Sequence, residues 1–219
     1  MKNVIVSWSG GKDSCFACFK AMQSGYKVCF LLNTISDEYK RVRFHGVKAE
    51  LIQAQAAALG IPLLHVPTSW NNYKPEFISA VKSLVEKGCQ AMVFGDLFLF
   101  MREFGDEVCK TAGIESIEPL IEVPSEEVVK GFIDAGFEAI VVATQADKLG
   151  QEWLGRKIDH KFLEDIKQLK DIDPCGENGE YHTLVINGPI FKQRINIIET
   201  EKVLRERYWF LDIKNYKLV

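Results

Sequence analysis

Short, unbroken apolar runs alternate with amphipathic stretches along the first half of this chain. The run Val4-Ile5-Val6 predicts a strand over residues 3–7. After it, Cys15, Cys18, Phe19 and Met22 recur at i, i+3, i+4 and i+7, the spacing of one helical face, and Gly25 stops the helix predicted over 13–24. A second apolar strand follows over 26–33, and Val47, Leu51, Ala54 and Ala58 then mark a helix over 46–58 that ends at Gly60 and Pro62. A third strand over 61–67, a helix with Pro75 near its start and Phe77, Val81 and Leu84 on one face, and a fourth strand over 90–94 complete the series. Strands that are apolar throughout are buried on both faces, and strand–helix–strand units of about 30 residues join parallel neighbours. The first half therefore reads as a doubly wound α/β domain built on a parallel sheet.

Near residue 122 the rhythm changes. A helix is predicted over 125–135, a strand over 138–143, a helical stretch around 159–170, a strand over 184–186, and short β-like runs from 190 onward, including 208–213. These form a smaller second subdomain of α/β or α+β type against the loop end of the sheet, dividing the chain into 1–121 and 122–219. The apolar tail Tyr208-Trp209-Phe210-Leu211 reads as core, with the edge of a homodimer as the alternative.

At 219 residues and 47% hydrophobic, the chain has enough apolar surface for a substantial core. Its net charge of -3 and isoelectric point near 5.9 give no nucleic-acid footprint, the best local basic patch being Lys40, Arg41, Arg43 and Lys48. Met1-Lys2-Asn3 runs straight into a strand and no segment approaches the ~18 apolar residues of a membrane span, so a cytoplasmic, membrane-free protein is expected. The six cysteines read as reduced, buried thiols; Cys15 and Cys18 have C-x-x-C spacing, but helical packing explains both and no second pair completes a zinc site.

The chemistry concentrates in Ser9-Gly10-Gly11-Lys12-Asp13-Ser14, where the first strand turns into the first helix. Glycines bring backbone amides up to an anion, the helix N-terminus favours negative charge, and Lys12, Ser9 and Ser14 add donors. The Walker A pattern would require glycine in place of Val6 and Ser or Thr in place of Asp13. The segment resembles instead the SGGxDS signature of the PP-loop ATP pyrophosphatases, which implies cleavage of ATP between its α- and β-phosphates. Parallel sheets bind ligands at the carboxyl ends of their strands, to which residues 9–13, 34–46 and 95–102 lead. With the first strand central, as the resemblance implies, the phosphates belong on Gly10 and Gly11 and the adenosine near Asn33 and Thr34.

A second cluster, Gly176-Glu177-Asn178-Gly179-Glu180-Tyr181-His182-Thr183, precedes the strand at 184–186. Alone it reads as a turn centred on Asn178-Gly179. Together with the opening motif it resembles the diphthine ammonia ligase family, which joins a PP-loop domain to a C-terminal domain bearing E-x-G-E-[FY]-x-T. Arg43-Phe44-His45-Gly46-Val47, Phe94-Gly95-Asp96 with Arg102, Glu107 and Cys109, and Glu118-Pro119-Leu120 extend the likeness to about Phe191. His182 departs from it, standing where many relatives carry an acidic residue.

The resemblance implies that a carboxylate, diphthine on translation elongation factor two or a related acceptor, attacks the α-phosphorus of ATP, and that ammonia then displaces AMP. It implies further that Lys12 stabilises the charge on the departing pyrophosphate and that Asp13 and Asp96, next to Gly95, hold Mg²⁺. Arg43 and His45 would close over the nucleotide, while Glu177, Glu180 and His182 would bind and deprotonate the ammonia nucleophile. No glutaminase domain is evident, so free ammonia is the expected nitrogen source. Two alternatives stay open: a tRNA-modifying PP-loop enzyme, and a nucleotide-binding sensor without turnover.

Overall fold

The computed structural model describes residues 1–36, 41–42, 46–69 and 71–219, with the side chains of Phe100 and Met101 excepted. Five parallel strands form the first sheet: β1 (Asn3–Ser7), β2 (Lys27–Ser36), β3 (Leu63–Thr68), β4 (Ala91–Val93) and β5 (Glu115–Ile117). Their order is β3-β2-β1-β4-β5, so β1 is central and the strand order reverses beside it. The helices between them are α1 (Lys12–Gln23), α2 (Ala49–Leu59), α3 (Tyr73–Val85) and α4 (Leu99–Ala112).

Alternation along β1 explains the layering. Val4 and Val6 point into one core with residues of α1 and α2, while Ile5 points into the other with Phe77 and Val81 of α3 and Val108 of α4. Helices thus cover both faces, as the unbroken apolar strands require. Cys15 and Cys18 are fully buried free thiols on the inner face of α1, where they pack as small apolar side chains. Strand β5 has no counterpart in the hydrophobic pattern, because three residues at the end of a helix are too few to show a period.

The second lobe comprises α5 (Ser125–Asp134), β6 (Glu138–Gln145), a 3₁₀ turn at Gln151–Trp153, α6 (His160–Lys167), β7 (Tyr181–Asn187), β8 (Ile195–Arg205) and β9 (Tyr208–Leu218). Its four strands form an antiparallel sheet in the order β7-β6-β9-β8. The short runs expected in the tail are one long hairpin, turned at Glu206 with φ of 51°. Most of β8 is exposed on both faces, so its sequence carries little alternation. Leu211 and Ile213 of β9 enter the core and Trp209 packs on it. That core is continuous from Val4 of β1 to Ile213 of β9, so the second lobe shares the apolar layer of α1 and α2. Among the described residues, no helix is long and apolar enough to cross a membrane.

Candidate functional site

The phosphate loop leaves β1 at Ser7 and enters α1 at Lys12. Gly10 takes φ of +83°, and a Cβ there would lie 2.5 Å from Gln55 Oε1 and from Ile52 Cδ1, so both backbone angle and space demand glycine. Gly11 is the N-cap of α1 and, lacking a side chain, cannot cap it. The cap comes from the other lobe: the Lys12 amide donates to Thr183 Oγ1 of β7 at 2.9 Å. Ser9 and Ser14 face each other, their hydroxyls 3.1 Å apart, and the Gly11 amide donates to Ser9 Oγ at 3.2 Å. At the end of β4, a Cβ on Gly95 would come within 2.8 Å of the Asp13 and Ser14 backbone, so the absent side chain lets β4 run against the first turn of α1.

Lys12 is the meeting point of the lobes. Its side chain is buried, with Nζ 2.9 Å from Asp13 Oδ2, donating to the Cys175 carbonyl, and 5.2 Å from the centre of the Tyr181 ring. Burial opposes its charge, but Asp13 and the other acidic groups around it outweigh that and hold the ammonium well above the ordinary lysine range. Burial pushes the Asp13 carboxyl up; Lys12 pulls it back only in part, and Asp173 adds to the rise. Asp96 is pushed up to about 6 by burial, Glu118 and Asp13.

Residues 173–180 fold as a string of turns around two carboxylates. Asp173 Oδ1 accepts from the amides of Cys175 at 2.8 Å and Glu177 at 3.3 Å, and its Oδ2 accepts from Ser125 Oγ at 2.7 Å. Glu180 is fully buried, accepting from the Asp173 amide at 3.0 Å and from the Asn178 amide and side chain at 2.9 and 3.1 Å. Burial alone would raise Glu180; these donors and Lys148 outweigh it and hold the carboxyl below its ordinary value. Glu177 is half-buried, and burial, followed by Asp13, lifts it to about 8. The two glutamates that look alike in sequence therefore have opposite environments.

The structure gathers Ser9, Gly10, Gly11, Lys12, Asp13, Ser14, Gly95, Asp96 and Glu177 around one junction. Glu180 lies there too, folded into its own loop. His182 belongs elsewhere: alternation along β7 puts it on the face opposite Tyr181 and Thr183, in register with Ala143, which also pairs with Phe210. Phe210 packs on Gly46, whose Cβ would lie 2.4 Å from its ring. Asn33 and Thr34 sit inside β2 rather than at its end, because β2 pairs with β3 as far as Ser36 and Thr68. The Asn33 side chain is committed, donating to the Trp8 carbonyl at 2.7 Å and meeting His65 Nδ1 at 3.0 Å. Arg43 and His45 lie outside the described residues.

For a divalent cation, Asp13 Oδ1 is buried without a hydrogen-bond partner, and the Asp13 charge contributes to the raised Asp96 carboxyl. Among the described residues no group of three or more His, Cys, Asp or Glu could hold a metal alone. Two carboxylates with the remaining positions left to water would suit Mg²⁺.

Sequence reasoning missed Gln55, Trp8 and the Cys175 carbonyl, and gave Tyr181 and Thr183 no role beyond membership of the second cluster. Gln55 is completely buried in α2 and makes three bonds behind the phosphate loop, yet in the sequence it is one polar residue in an alanine-rich helix.

Comparisons with known proteins agree with this two-lobed arrangement. The diphthamide synthase N-terminal domain matches residues 1–116 and the diphthamide synthase C-terminal domain matches residues 124–219. The second match reaches the end of the chain, beyond the limit near Phe191 at which the motifs ran out. The diphthine–ammonia ligase of Schizosaccharomyces pombe is 27% identical over 89% of this chain and 36% of its own length. Those of Danio rerio and Homo sapiens are each 24% identical, over 90% of this chain and 86% and 83% of theirs. The chain thus spans about a third of the yeast relative and most of the two vertebrate ones. A solved structure, a predicted subunit of tRNA methyltransferase from Methanocaldococcus jannaschii, overlays with a TM-score of 0.48 at 14% identity over 86% of this chain and 98% of that one, a likeness too weak to build on. With matches covering both lobes, the chain belongs to the diphthamide synthase family.

Proposed function

We propose that this protein is an ATP-dependent ligase that adenylates a carboxylate and transfers ammonia to it, releasing AMP and pyrophosphate, with diphthine on translation elongation factor two as acceptor. The observation that carries this reading is the junction at Lys12, where a phosphate loop opening a helix meets a titrating carboxylate, Glu177, from the second lobe. The names of the relatives supply diphthine and ammonia, and the family resemblance supplies elongation factor two as the carrier.

In the first half-reaction the acceptor carboxylate oxygen attacks the α-phosphorus and the α–β anhydride bond breaks. Lys12, the opening amides of α1 and the Ser9 and Ser14 hydroxyls stabilise the charge left on pyrophosphate, the kind of preorganised donor set in which one member is worth about 3 kcal/mol. Asp13 and Asp96 would hold Mg²⁺, which screens the phosphate charges when bound. In the second half-reaction ammonia attacks the acyl carbon and AMP departs. Glu177, lifted to about 8, accepts the nucleophile's proton near neutral pH. Glu180, its oxygens engaged by the loop, places Glu177 and the Cys175 carbonyl and does not itself move a proton. Buried reduced thiols suit a cytoplasmic setting.

The test is incubation with α-labelled ATP, Mg²⁺, ammonium and elongation factor two carrying diphthine. Labelled AMP that forms only with both acceptor and ammonium is expected. Label found solely in ADP would sink the proposal.

A further inference from the structure

Gln55 stands against the Gly10 side of the phosphate loop, and both of its donors and its side-chain oxygen are engaged there. Its Nε2 donates to the Gly10 carbonyl at 2.9 Å and to the Val185 carbonyl at 2.7 Å, while its Oε1 accepts from Trp8 Nε1 at 3.1 Å. The Val185 amide of β7 donates to the same Gly10 carbonyl at 3.0 Å. One carbonyl of the phosphate loop is therefore drawn backward by two donors, one from α2 and one from the second lobe.

In a planar trans peptide the C=O and N–H point in opposite directions. Fixing the Gly10 carbonyl backward aims the Gly11 amide forward, to the side where Ser9 Oγ now accepts it at 3.2 Å and where the Ser14 hydroxyl also lies. A glycine pair resists such a choice poorly, since Gly10 at φ +83° has access to both orientations of the following peptide. The Trp8 indole settles which end of the Gln55 amide faces the loop, because its N–H can only donate and so claims Oε1.

We propose that Gln55 is a positioning residue of the nucleotide site: it selects the peptide orientation in which the Gly11 amide faces phosphate, and it makes that orientation depend on β7 being docked. This rests on the phosphate loop being the ATP site, as in the proposed function, but not on which acceptor is amidated. The chain of 219 residues is the material for the test. Gln55→Met keeps the volume and removes both donors; Gln55→Glu keeps the shape and replaces the donors by oxygens facing two carbonyls. Trp8→Phe, the milder change, deletes only the bond that orients the amide.

MgATP affinity is read by titration calorimetry, KM for ATP and for ammonium by AMP release, and melting temperature alongside. The expected result is MgATP affinity at least tenfold weaker in both Gln55 variants and about threefold weaker in Trp8→Phe, with KM rising for ATP and unchanged for ammonium. A folded Gln55→Met protein that binds MgATP within twofold of the wild type overturns the proposal. So does a loss shared equally between the two substrates, the mark of general destabilisation. If neither Gln55 variant folds, Trp8→Phe decides by the same criterion. Wild-type protein that binds MgATP but releases no AMP would refute the ligase reading and leave the role of Gln55 standing; wild-type protein that fails to bind MgATP would refute both.

Discussion

In the loop over residues 9–14 the hydrogen bonds run among backbone groups, small hydroxyls and the Lys12 ammonium, whereas in the facing loop over 173–180 they converge on two carboxylates, Asp173 and Glu180. In the first arrangement the Gly11 amide rests on Ser9 and the buried Lys12 ammonium on Asp13 and the Cys175 carbonyl, partners that an incoming anion would have to replace. The second consumes its own donors to make a rigid turn, and what it leaves over is a single carboxyl, Glu177, lifted to about 8. The difference teaches that the two facing loops hold their charge in opposite ways, one on partners that a ligand can exchange and one on partners fixed within the turn.

The hardest blow to that contrast is Lys12→Ala. It removes the loop's full positive charge, the bond to the Cys175 carbonyl that joins the loops, and the partner of the half-buried Asp13. AMP formation should fall about 1,000-fold, the upper range for a single electrostatic donor, measured as release of labelled AMP at saturating ATP. A fall of less than about tenfold would assign Lys12 to the structure of the acidic loop instead of to phosphate.

Next in size is the pair Glu180→Gln and Glu177→Gln, compared by thermal melting across pH. Glu180 has a lowered carboxyl, so its stabilisation is complete above the unfolded value of 4.5 and disappears as pH falls through the folded one. Glutamine offers one acceptor where the loop needs two, and at pH 7 the variant should lose about 2 kcal/mol, a loss that shrinks in acid. Glu177 has a raised carboxyl, so wild-type stability is undiminished below 4.5 and declines as pH rises toward about 8. Glu177→Gln should remove that decline and melt higher than wild type at pH 8, while the alkaline rise in amide formation disappears. Parallel responses in the two variants would erase the distinction between them.

How much of this was legible in the sequence follows from the range of the interactions. The first strand was readable to the residue, 3–7, because Val4, Ile5 and Val6 are buried on two faces and a short run suffices. The turn over 9–14 was readable because its geometry is local, a pair of glycines between a strand and a helix. Asn33 is legible as a polar residue near the end of the second strand, but its partners Trp8 and His65 are not, since sheet register sets them. Gln55 was invisible for the same reason: Trp8 and Val185 lie 47 and 130 residues away. Glu177 and Glu180 could not be told apart, because what separates them is which one the folded turns enclose.

The smallest expected effect gives the sharpest comparison of the two loops. Lys148 Nζ lies 3.7 Å from Glu180 Oε1, with about a third of its side chain exposed. At that distance and exposure an ion pair contributes a few tenths of a kcal/mol to about 1 kcal/mol, and salt weakens it further. If the Glu180 carboxylate is held by the amides of Asp173 and Asn178, Lys148→Met should cost less than about 1 kcal/mol in urea unfolding and leave the pH dependence of stability almost intact. Lys12 and Lys148 each sit beside a carboxylate across the same junction, yet only Lys12 is buried and shared between lobes. A loss on Lys148→Met as large as that on Glu180→Gln would mean that the acidic loop, like the phosphate loop, is organised around a cation, and that the two halves of the site follow one plan after all.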